Sequence, residues 1–278
     1  MGYFITSSAE NEEPIKLYYE EYGHGKPVIL IHGWPLSHQM WEYQIESLVT
    51  SGYKVIAYDR RGFGKSDKPW TGYDYDTLAK DLNDLIKGLQ LSDVILIGFS
   101  MGGGEVCRFI GNYGTSNLSK AVLLSSVAGY MLKTEDNPDG LPSETFEEFK
   151  RNVRKDRLGF LKEFGNVFVN YEDNKDKLSE AQVHFNWTIA AHASPKATLD
   201  CIDSFGKTDF REDLKKFDIP TLIVHGDADK VVPKEPTAEQ AAAIVKDNKL
   251  EIIKNAPHGL VFTHTEKVNK ILLDFLDS

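Results

Sequence analysis

Three residues of the sequence have the types and spacing needed for acyl transfer, and the serine is the most clearly marked. Ser100 is the central residue of a G-x-S-x-G pattern at positions 98–102. The apolar run 94–97 before it predicts a strand, and residues 106–110 after it predict a helix. A strained strand–turn–helix connection lifts the serine side chain clear of the backbone, and the two glycines avoid clashes that a Cβ atom would cause there. We therefore predict that Ser100 is a nucleophile.

A serine hydroxyl is a weak nucleophile until a base takes its proton. The chain has eight histidines, of which five follow Ser100. Where a serine on such a turn is the nucleophile, the acid and then the histidine follow it in the chain. His258 follows the last predicted strand, in a loop of the kind that collects active-site residues in open α/β sheets, and is predicted to be the base. The other four are interpreted as a packed strand residue and as residues of predicted helices: His225, and then His184, His192 and His264.

The segment 225–233 offers two carboxylates for the acid. Asp227 lies close to the end of a predicted strand, where its carboxylate can accept hydrogen bonds from loop N–H groups. Asp229 lies farther out in the loop and is freer to reach an imidazole. We predict Asp229 as the acid, which holds His258 in the productive tautomer and stabilises the imidazolium, and we give Asp227 a structural role.

Acyl transfer also needs two N–H donors directed at the developing oxyanion, each contributing about 3 kcal/mol. The backbone N–H of Met101, the residue after the nucleophile, is one candidate. The backbone N–H of Trp34, in the loop after the predicted strand 28–31, is the other. Pro35 has no N–H to donate and stiffens this loop. Gly33, Pro35 and Leu260 are predicted to line the substrate pocket.

Composition excludes several classes of function. Of 278 residues, 32 are Lys or Arg and 42 are Asp or Glu, so the net charge of −10 argues against binding to nucleic acid or an anionic membrane. No run approaches the 18 apolar residues of a transmembrane helix. The N-terminus matches the M-G-x-x-x-[ST] acylation pattern, but a strand over residues 3–6 is the preferred interpretation, and no secretory signal is expected. The only two cysteines, Cys107 and Cys201, form neither a disulfide framework nor a metal cluster, which favours a cytoplasmic setting.

The elements that must position these residues follow an alternating pattern. Short apolar runs rich in β-branched residues predict strands at 28–31, 54–58, 94–97, 121–124, 221–224 and 250–253. The first three have the pattern of strands buried on both faces of a parallel sheet. Helical patterns separate them, which predicts an α/β fold with a parallel sheet. Residues 130–217 break this rhythm and read as mostly helical. We therefore predict a core formed by residues 1–129 and 218–278, with residues 130–217 as a helical cap in which Phe164, Phe168 and Trp187 are candidates for lining the pocket.

Five segments of the sequence, 32–37, 59–64, 69–75, 98–105 and 256–259, resemble the α/β-hydrolase family. The chain is most similar to the cofactor-free bacterial haloperoxidases, also called perhydrolases or non-haem chloroperoxidases, and to related aryl esterases and γ-lactamases. The resemblance spans nearly the whole chain and is weakest over residues 135–180. It implies the α/β-hydrolase fold, a mostly parallel central sheet flanked by helices with a helical cap insertion.

The resemblance implies a reaction in which Ser100 attacks an ester or carboxylic acid and forms an acyl-serine. Water then releases the acid, or hydrogen peroxide releases a peracid that oxidises halide. The expected partners are a small ester or carboxylate, hydrogen peroxide and halide, with no cofactor, metal, nucleic acid or membrane; a homo-oligomer is compatible with it. In this family a proline after the oxyanion-hole residue accompanies perhydrolysis, and Pro35 occupies that position. The alternatives are a plain carboxylesterase, aryl esterase or γ-lactamase and, more remotely, a non-catalytic ligand-binding member.

Overall fold

A single eight-stranded sheet runs through the centre of the protein. The computed structural model describes residues 1–7 and 13–278. The strands are β1 (Gly2–Ile5), β2 (Lys16–Tyr22), β3 (Pro27–Ile31), β4 (Lys54–Tyr58), β5 (Val94–Phe99), β6 (Leu118–Leu124), β7 (Thr221–Gly226) and β8 (Asn248–Ile253). Their order across the sheet is β1-β2-β4-β3-β5-β6-β7-β8. The two antiparallel pairings, β1 with β2 and β2 with β4, lie at one edge, and all the others are parallel.

The predicted strands are confirmed. Those inside the sheet are buried, whereas β8 lies at the edge and is partly exposed. Every residue of β5 and of β7 is buried, as expected for parallel strands covered on both faces. The pattern did not predict β2, because Glu20 and Glu21 interrupt its apolar residues. That strand pairs antiparallel with both of its neighbours near the edge of the sheet, where one face can stay polar.

Eleven α-helices connect the strands in the described part of the chain. They are α1 (Glu42–Thr50), α2 (Tyr75–Gly88), α3 (Met101–Tyr113), α4 (Ser143–Phe168), α5 (Tyr171–Asn174), α6 (Glu180–Ala191), α7 (Pro195–Lys207), α8 (Arg211–Leu214), α9 (Gln240–Ile244), α10 (Leu260–Thr263) and α11 (Thr265–Leu276). A 3₁₀ turn (His38–Trp41) precedes α1, and a π-helical turn (Glu235–Glu239) precedes α9. None of the helices described is long and apolar enough to span a bilayer.

Helices α4 to α8 occupy the interval between β6 and β7, where the alternating pattern is interrupted. α4 is kinked at Asp156, whose backbone angles are not helical. Two helices meet near residue 193: α6 ends at Ala191, and Ser194 caps α7 by accepting from the N–H of Ala197. Pro195 supplies the physical reason, because proline disfavours a helical residue before it but fits the first turn of a new helix.

Candidate active site

The turn that carries Ser100 is tight and strained. β5 ends at Phe99 and α3 begins at Met101, leaving Ser100 between them with φ 54° and ψ −119°. A Cβ on Gly98 would lie 2.5 Å from the carbonyl oxygen of Gly102, and a Cβ on Gly102 would lie 2.3 Å from the oxygen of Ile31. Real Cβ atoms do not approach so closely, so the predicted need for glycine at both positions is confirmed. The turn presents the Ser100 side chain at the start of α3.

Loops that follow β7 and β8 bring two more predicted residues to this serine. The imidazole Nε2 of His258 lies 2.9 Å from Ser100 Oγ, and its Nδ1 lies 2.7 Å from Asp229 Oδ2. The His258 and Asp229 side chains are each 1% exposed. The ring of Phe168 meets the His258 ring edge-to-face, with centroids 4.8 Å apart, and the ring of Phe99 lies 5.2 Å away. Packing on two sides thus fixes the imidazole between its two partners.

The carboxylate of Asp229 is surrounded by donors. Its Oδ1 accepts hydrogen bonds of 2.8 Å from the backbone N–H groups of both Val231 and Val232, while Oδ2 faces His258. His225 Nε2 lies 3.2 Å from the same Oδ2. Burial alone would raise the pKa of Asp229, but its interactions with His258 and His225 outweigh burial and hold that pKa well below the usual value. The group therefore remains a carboxylate throughout the neutral range.

The second carboxylate considered from the sequence, Asp227, lies elsewhere. Its Oδ1 accepts a 2.5 Å hydrogen bond from the N–H of Asn255, which ties the loop after β7 to the loop after β8. The structure brings Asp229, and not Asp227, to His258.

The loop after β3 lies against the nucleophile. A Cβ on Gly33 would lie 3.1 Å from the Cβ of Ser100. The next residue, Trp34, is anchored by its indole N–H, which donates to the carbonyl of Thr198 over 3.0 Å. The carbonyl of Met101 accepts from the hydroxyl of Tyr75 at 3.0 Å.

The backbone N–H groups of Trp34 and Met101 find no acceptor among residues 1–7 and 13–278. Both residues are buried, at 3% and 0% exposure. Buried N–H groups are rarely left unpaired, because losing their hydrogen bond to water costs about 1–3 kcal/mol each. Two such groups beside a serine are suited to receive an oxygen from a ligand.

The Ser100 and His258 side chains open onto a small apolar cavity of about 20 Å³. Apart from these two residues and Thr145 its wall is apolar: Trp34, Val127, Met131, Leu141, Phe146, Phe149, Phe164, Phe205, Val231 and Val232. Such a volume holds about one water molecule, so only a short acyl chain fits unless side chains move. A second apolar cavity of about 30 Å³ is lined by Pro35, Phe168 and Trp187, among others.

The structure places the three predicted pocket residues differently from one another. Gly33 lies against Ser100, and Pro35 lines the second cavity. Leu260 does not line either of these two cavities. It begins α10 and is completely buried in the hydrophobic core. The residue before it, Gly259, donates its N–H to the carbonyl of Phe168 at 2.7 Å, which ties the start of α10 to the end of α4.

Of the three cap residues predicted as candidates for the pocket, Phe164 lines the cavity at Ser100, and Phe168 and Trp187 line the second cavity. Sequence reasoning missed the residues that hold the Asp229 carboxylate and the other residues that close the cavity at Ser100. Val231 and Val232 do both, since their N–H groups bind Asp229 and their side chains line the cavity wall. Their spacing of two and three residues after an aspartate is the signal of an Asx-type turn and could have identified them. The other aromatic residues that α4 and α7 contribute to this wall, Phe146, Phe149 and Phe205, carry no comparable local signal.

Within the described residues, no group of three or more His, Cys, Asp or Glu side chains is arranged to hold a metal ion.

Comparison with known proteins agrees with this geometry. The family described as alpha/beta hydrolase fold matches residues 26–265. A bromoperoxidase from Bacillus anthracis, solved as a crystal structure, has 51% sequence identity and a TM-score of 0.94 over 100% of both chains. The non-heme chloroperoxidase CPO-A1 of Kitasatospora aureofaciens is 43% identical over 95% of this chain and 96% of its own. The bifunctional esterase/perhydrolase DCH of Acinetobacter calcoaceticus is 38% identical over 100% of both. The chain therefore belongs to the alpha/beta hydrolase fold family, among relatives named as haloperoxidases, esterases and perhydrolases.

Proposed function

We propose that this protein is a serine hydrolase that forms an acyl-enzyme on Ser100 and transfers the acyl group to water or to hydrogen peroxide. The observation that carries the proposal is the buried hydrogen-bonded line from Ser100 Oγ through His258 to Asp229. The relatives support the choice of acceptors, since their names include chloroperoxidase, bromoperoxidase and esterase/perhydrolase.

Acylation follows from the distances. His258 Nε2 takes the proton of the Ser100 hydroxyl as Oγ attacks the carbonyl carbon of an ester or carboxylic acid. The carbonyl oxygen becomes an oxyanion, which accepts from the free N–H groups of Trp34 and Met101. His258 then gives its proton to the leaving alcohol or hydroxide, and the acyl-serine remains. Asp229 stabilises the imidazolium throughout and keeps its own charge.

Deacylation reverses these roles. His258 takes a proton from the incoming water or peroxide, whose oxygen attacks the acyl carbon, and returns that proton to Ser100 Oγ as the carbon–oxygen bond breaks. Water yields a carboxylic acid, and hydrogen peroxide yields a peracid. The released peracid transfers one oxygen atom to chloride or bromide in solution, giving hypohalite and the carboxylic acid. These steps use only side chains and backbone groups of this chain.

We further propose that residues 130–217 act as a cap that sets substrate size. Phe164 lines the cavity at Ser100, and Phe168 packs on His258, so the cap contributes directly to the walls around the reacting atoms. The small volume of the cavity favours short acyl groups. Cys107 and Cys201 are free and buried, which fits the proposed location in the reducing cytoplasm.

The test combines hydrolysis of p-nitrophenyl esters of graded chain length with bromination of monochlorodimedone by peroxide, with and without acetate. Halogenation that requires acetate supports the peracid route, and halogenation without any carboxylate contradicts it. Ser100→Ala is expected to abolish ester hydrolysis and peracid formation together. Peracid formation that survives this change would place the chemistry elsewhere.

Pro35 is proposed to favour peroxide over water by holding the oxyanion loop rigid. Pro35→Leu should lower the ratio of peracid formation to ester hydrolysis. An unchanged ratio in the purified variant rejects this role for Pro35.

A further inference from the structure

His225 in β7 is a fully buried histidine that the proposed acyl transfer does not use. Its side chain is 0% exposed. Its Nε2 lies 2.9 Å from the carbonyl oxygen of Val232 and 3.2 Å from Oδ2 of Asp229. The interpretation as a packed strand residue is confirmed by its place in β7, but the ring also faces the proposed triad acid.

The surroundings of the ring determine which nitrogen carries the proton. Both atoms facing Nε2 are acceptors, a carbonyl oxygen and a carboxylate oxygen, so a lone pair on Nε2 would be repelled by both. Nε2 therefore carries the hydrogen and donates it to Val232. Nδ1 is buried and has no partner within the described residues. A proton there would be a buried donor without an acceptor, so the ring is neutral.

We propose that His225 is a positioning residue for Asp229, acting through the turn that holds this carboxylate. The inference rests on the proposed function of Ser100, His258 and Asp229. By donating to the carbonyl of Val232, the His225 ring anchors the same turn whose N–H groups bind Asp229 Oδ1. The turn is therefore fastened to the rigid strand β7 as well as to the carboxylate.

The ring also acts on the charge of the acid. The positive end of its Nε2–H dipole lies 3.2 Å from Oδ2, the oxygen that binds His258 Nδ1 at 2.7 Å. This dipole makes the electrostatic potential at Oδ2 less negative, and so it weakens the attraction between Asp229 and a protonated His258. The charged and titratable groups facing the ring are Asp229 on the following loop, His258 from the loop after β8, and the half-exposed Glu235 of the π-helical turn.

Removing the Nε2–H is expected to have two effects. The less firmly held carboxylate orients His258 less well, which lowers kcat. The carboxylate also attracts the imidazolium more strongly, so free enzyme takes up its proton at higher pH. The acidic limb of the kcat/KM profile should then move upward by about 0.5–1 pH unit, as expected for the loss of one nearby dipole. A residue that only fills space would not move that limb.

Two polar substitutions separate these effects from packing. In His225→Gln the side-chain amide nitrogen can take the place of Nε2, whereas the shorter side chain of His225→Asn reaches only the place of Nδ1. We expect His225→Asn to lose about tenfold in kcat with p-nitrophenyl acetate, the factor of a lost hydrogen bond near a charge, and to show the shifted limb. His225→Gln should keep kcat within about threefold of the unchanged enzyme, because only one ring contact is lost. The acidic limb of its kcat/KM profile should stay at the original pH.

The proposal is overturned if both variants have the same pH profile as the unchanged enzyme. It is also overturned if the loss of activity in the two variants is proportional to their loss of thermal stability. Nitrogen NMR of the unchanged protein provides a test that needs no variant: at neutral pH it should show His225 neutral with its proton on Nε2. A proton on Nδ1, or on both nitrogens, rejects the inference. Ser100→Ala distinguishes failure of the proposed function from failure of this inference. Full activity in Ser100→Ala would reject the proposed function itself. An inactive Ser100→Ala, together with His225 variants that keep the activity and pH profile of the unchanged enzyme, would reject only the positioning role of His225.

Discussion

Replacing Asp229 by asparagine tests the proposed triad most sharply, because the structure determines how the new amide must lie. Two backbone N–H groups, those of Val231 and Val232, point at Oδ1 over 2.8 Å each. Only the amide oxygen can accept from them, so the NH₂ group is forced into the position of Oδ2. There it faces His258 Nδ1, which must become an acceptor, and the imidazole proton moves to Nε2 beside Ser100 Oγ. In that tautomer His258 cannot take the serine proton.

The size of the effect follows from the cost of reversing the amide. Turning its oxygen toward His258 breaks both backbone hydrogen bonds and leaves two buried donors without acceptors. At about 1–3 kcal/mol for each unsatisfied donor, the productive arrangement lies about 2–6 kcal/mol above the unproductive one. Since each 1.36 kcal/mol is a factor of ten, Asp229→Asn should lower kcat by a factor between about 30 and about 3 × 10⁴.

The assay is hydrolysis of p-nitrophenyl acetate by purified Asp229→Asn, with thermal unfolding as a check on folding. Asp227→Asn is the matched control, since it removes the same charge two residues along the chain. Among residues 1–7 and 13–278, the Asp227 carboxylate accepts one hydrogen bond, from the N–H of Asn255. The control variant should keep kcat within about threefold, because an exposed hydrogen bond contributes little to the reacting geometry. A folded Asp229→Asn that retains more than about a tenth of the kcat refutes the reasoning. So does an Asp227→Asn whose kcat falls by more than about threefold.

Three further predictions concern specificity and stability. A Cβ on Gly165 in α4 would meet open space beside the second cavity, so Gly165→Leu should lower kcat/KM for p-nitrophenyl octanoate relative to the acetate while raising the unfolding free energy by up to about 1 kcal/mol; equal effects on both esters would contradict it. Glu105→Gln should cost about 3–5 kcal/mol in urea unfolding, because Arg60, 2.7 Å away and 1% exposed, would keep its charge in the core; a loss below 1 kcal/mol contradicts this. Burial would raise the pKa of Glu20, but hydrogen bonds from Tyr18 and Tyr22 and the nearby His38 and Lys65 lower it to about 2. The stabilisation is present above the usual pKa of 4.5 and lost as pH falls toward 2, so the stability difference between the unchanged protein and Glu20→Gln, about 1–2 kcal/mol at pH 7, should disappear near pH 2.

The nucleophile turn could be predicted from sequence because its constraints are local. The two glycines, the apolar strand before them and the helix after them lie within 20 residues, and each is required by the same tight backbone. His258 and Asp229 could be predicted because parallel strands bring their following loops to one edge of the sheet, and chain order then leaves few candidates.

The surroundings of the acid could not be predicted in the same way. The pattern places His225 in a strand, and a strand position alone does not say which of two faces the ring takes. Its contact with Asp229 depends on the path of the loop 227–232, which doubles back so that Val232 reaches the ring. Periodicity carries no information about such a return, because it is set by three hydrogen bonds to one carboxylate and one imidazole rather than by apolar burial.

The walls of the cavity were even harder to predict from the sequence than the surroundings of Asp229. They also explain how one proposed triad can serve different substrates. The indole of Trp34 is anchored on Thr198, 164 residues away, and its ring contacts Phe164 with centroids 5.2 Å apart. These contacts join the loop after β3 to helices α7 and α4, so residues of these helices shape the cavity. Substitutions of Phe164 in α4 and Phe205 in α7 can therefore change which acyl group fits, whereas Phe168 at the end of α4 packs on His258 and helps to hold it between Ser100 and Asp229. A family built this way is expected to keep its chemistry while its substrates vary, which is why the sequence predicts the reaction more closely than the substrate.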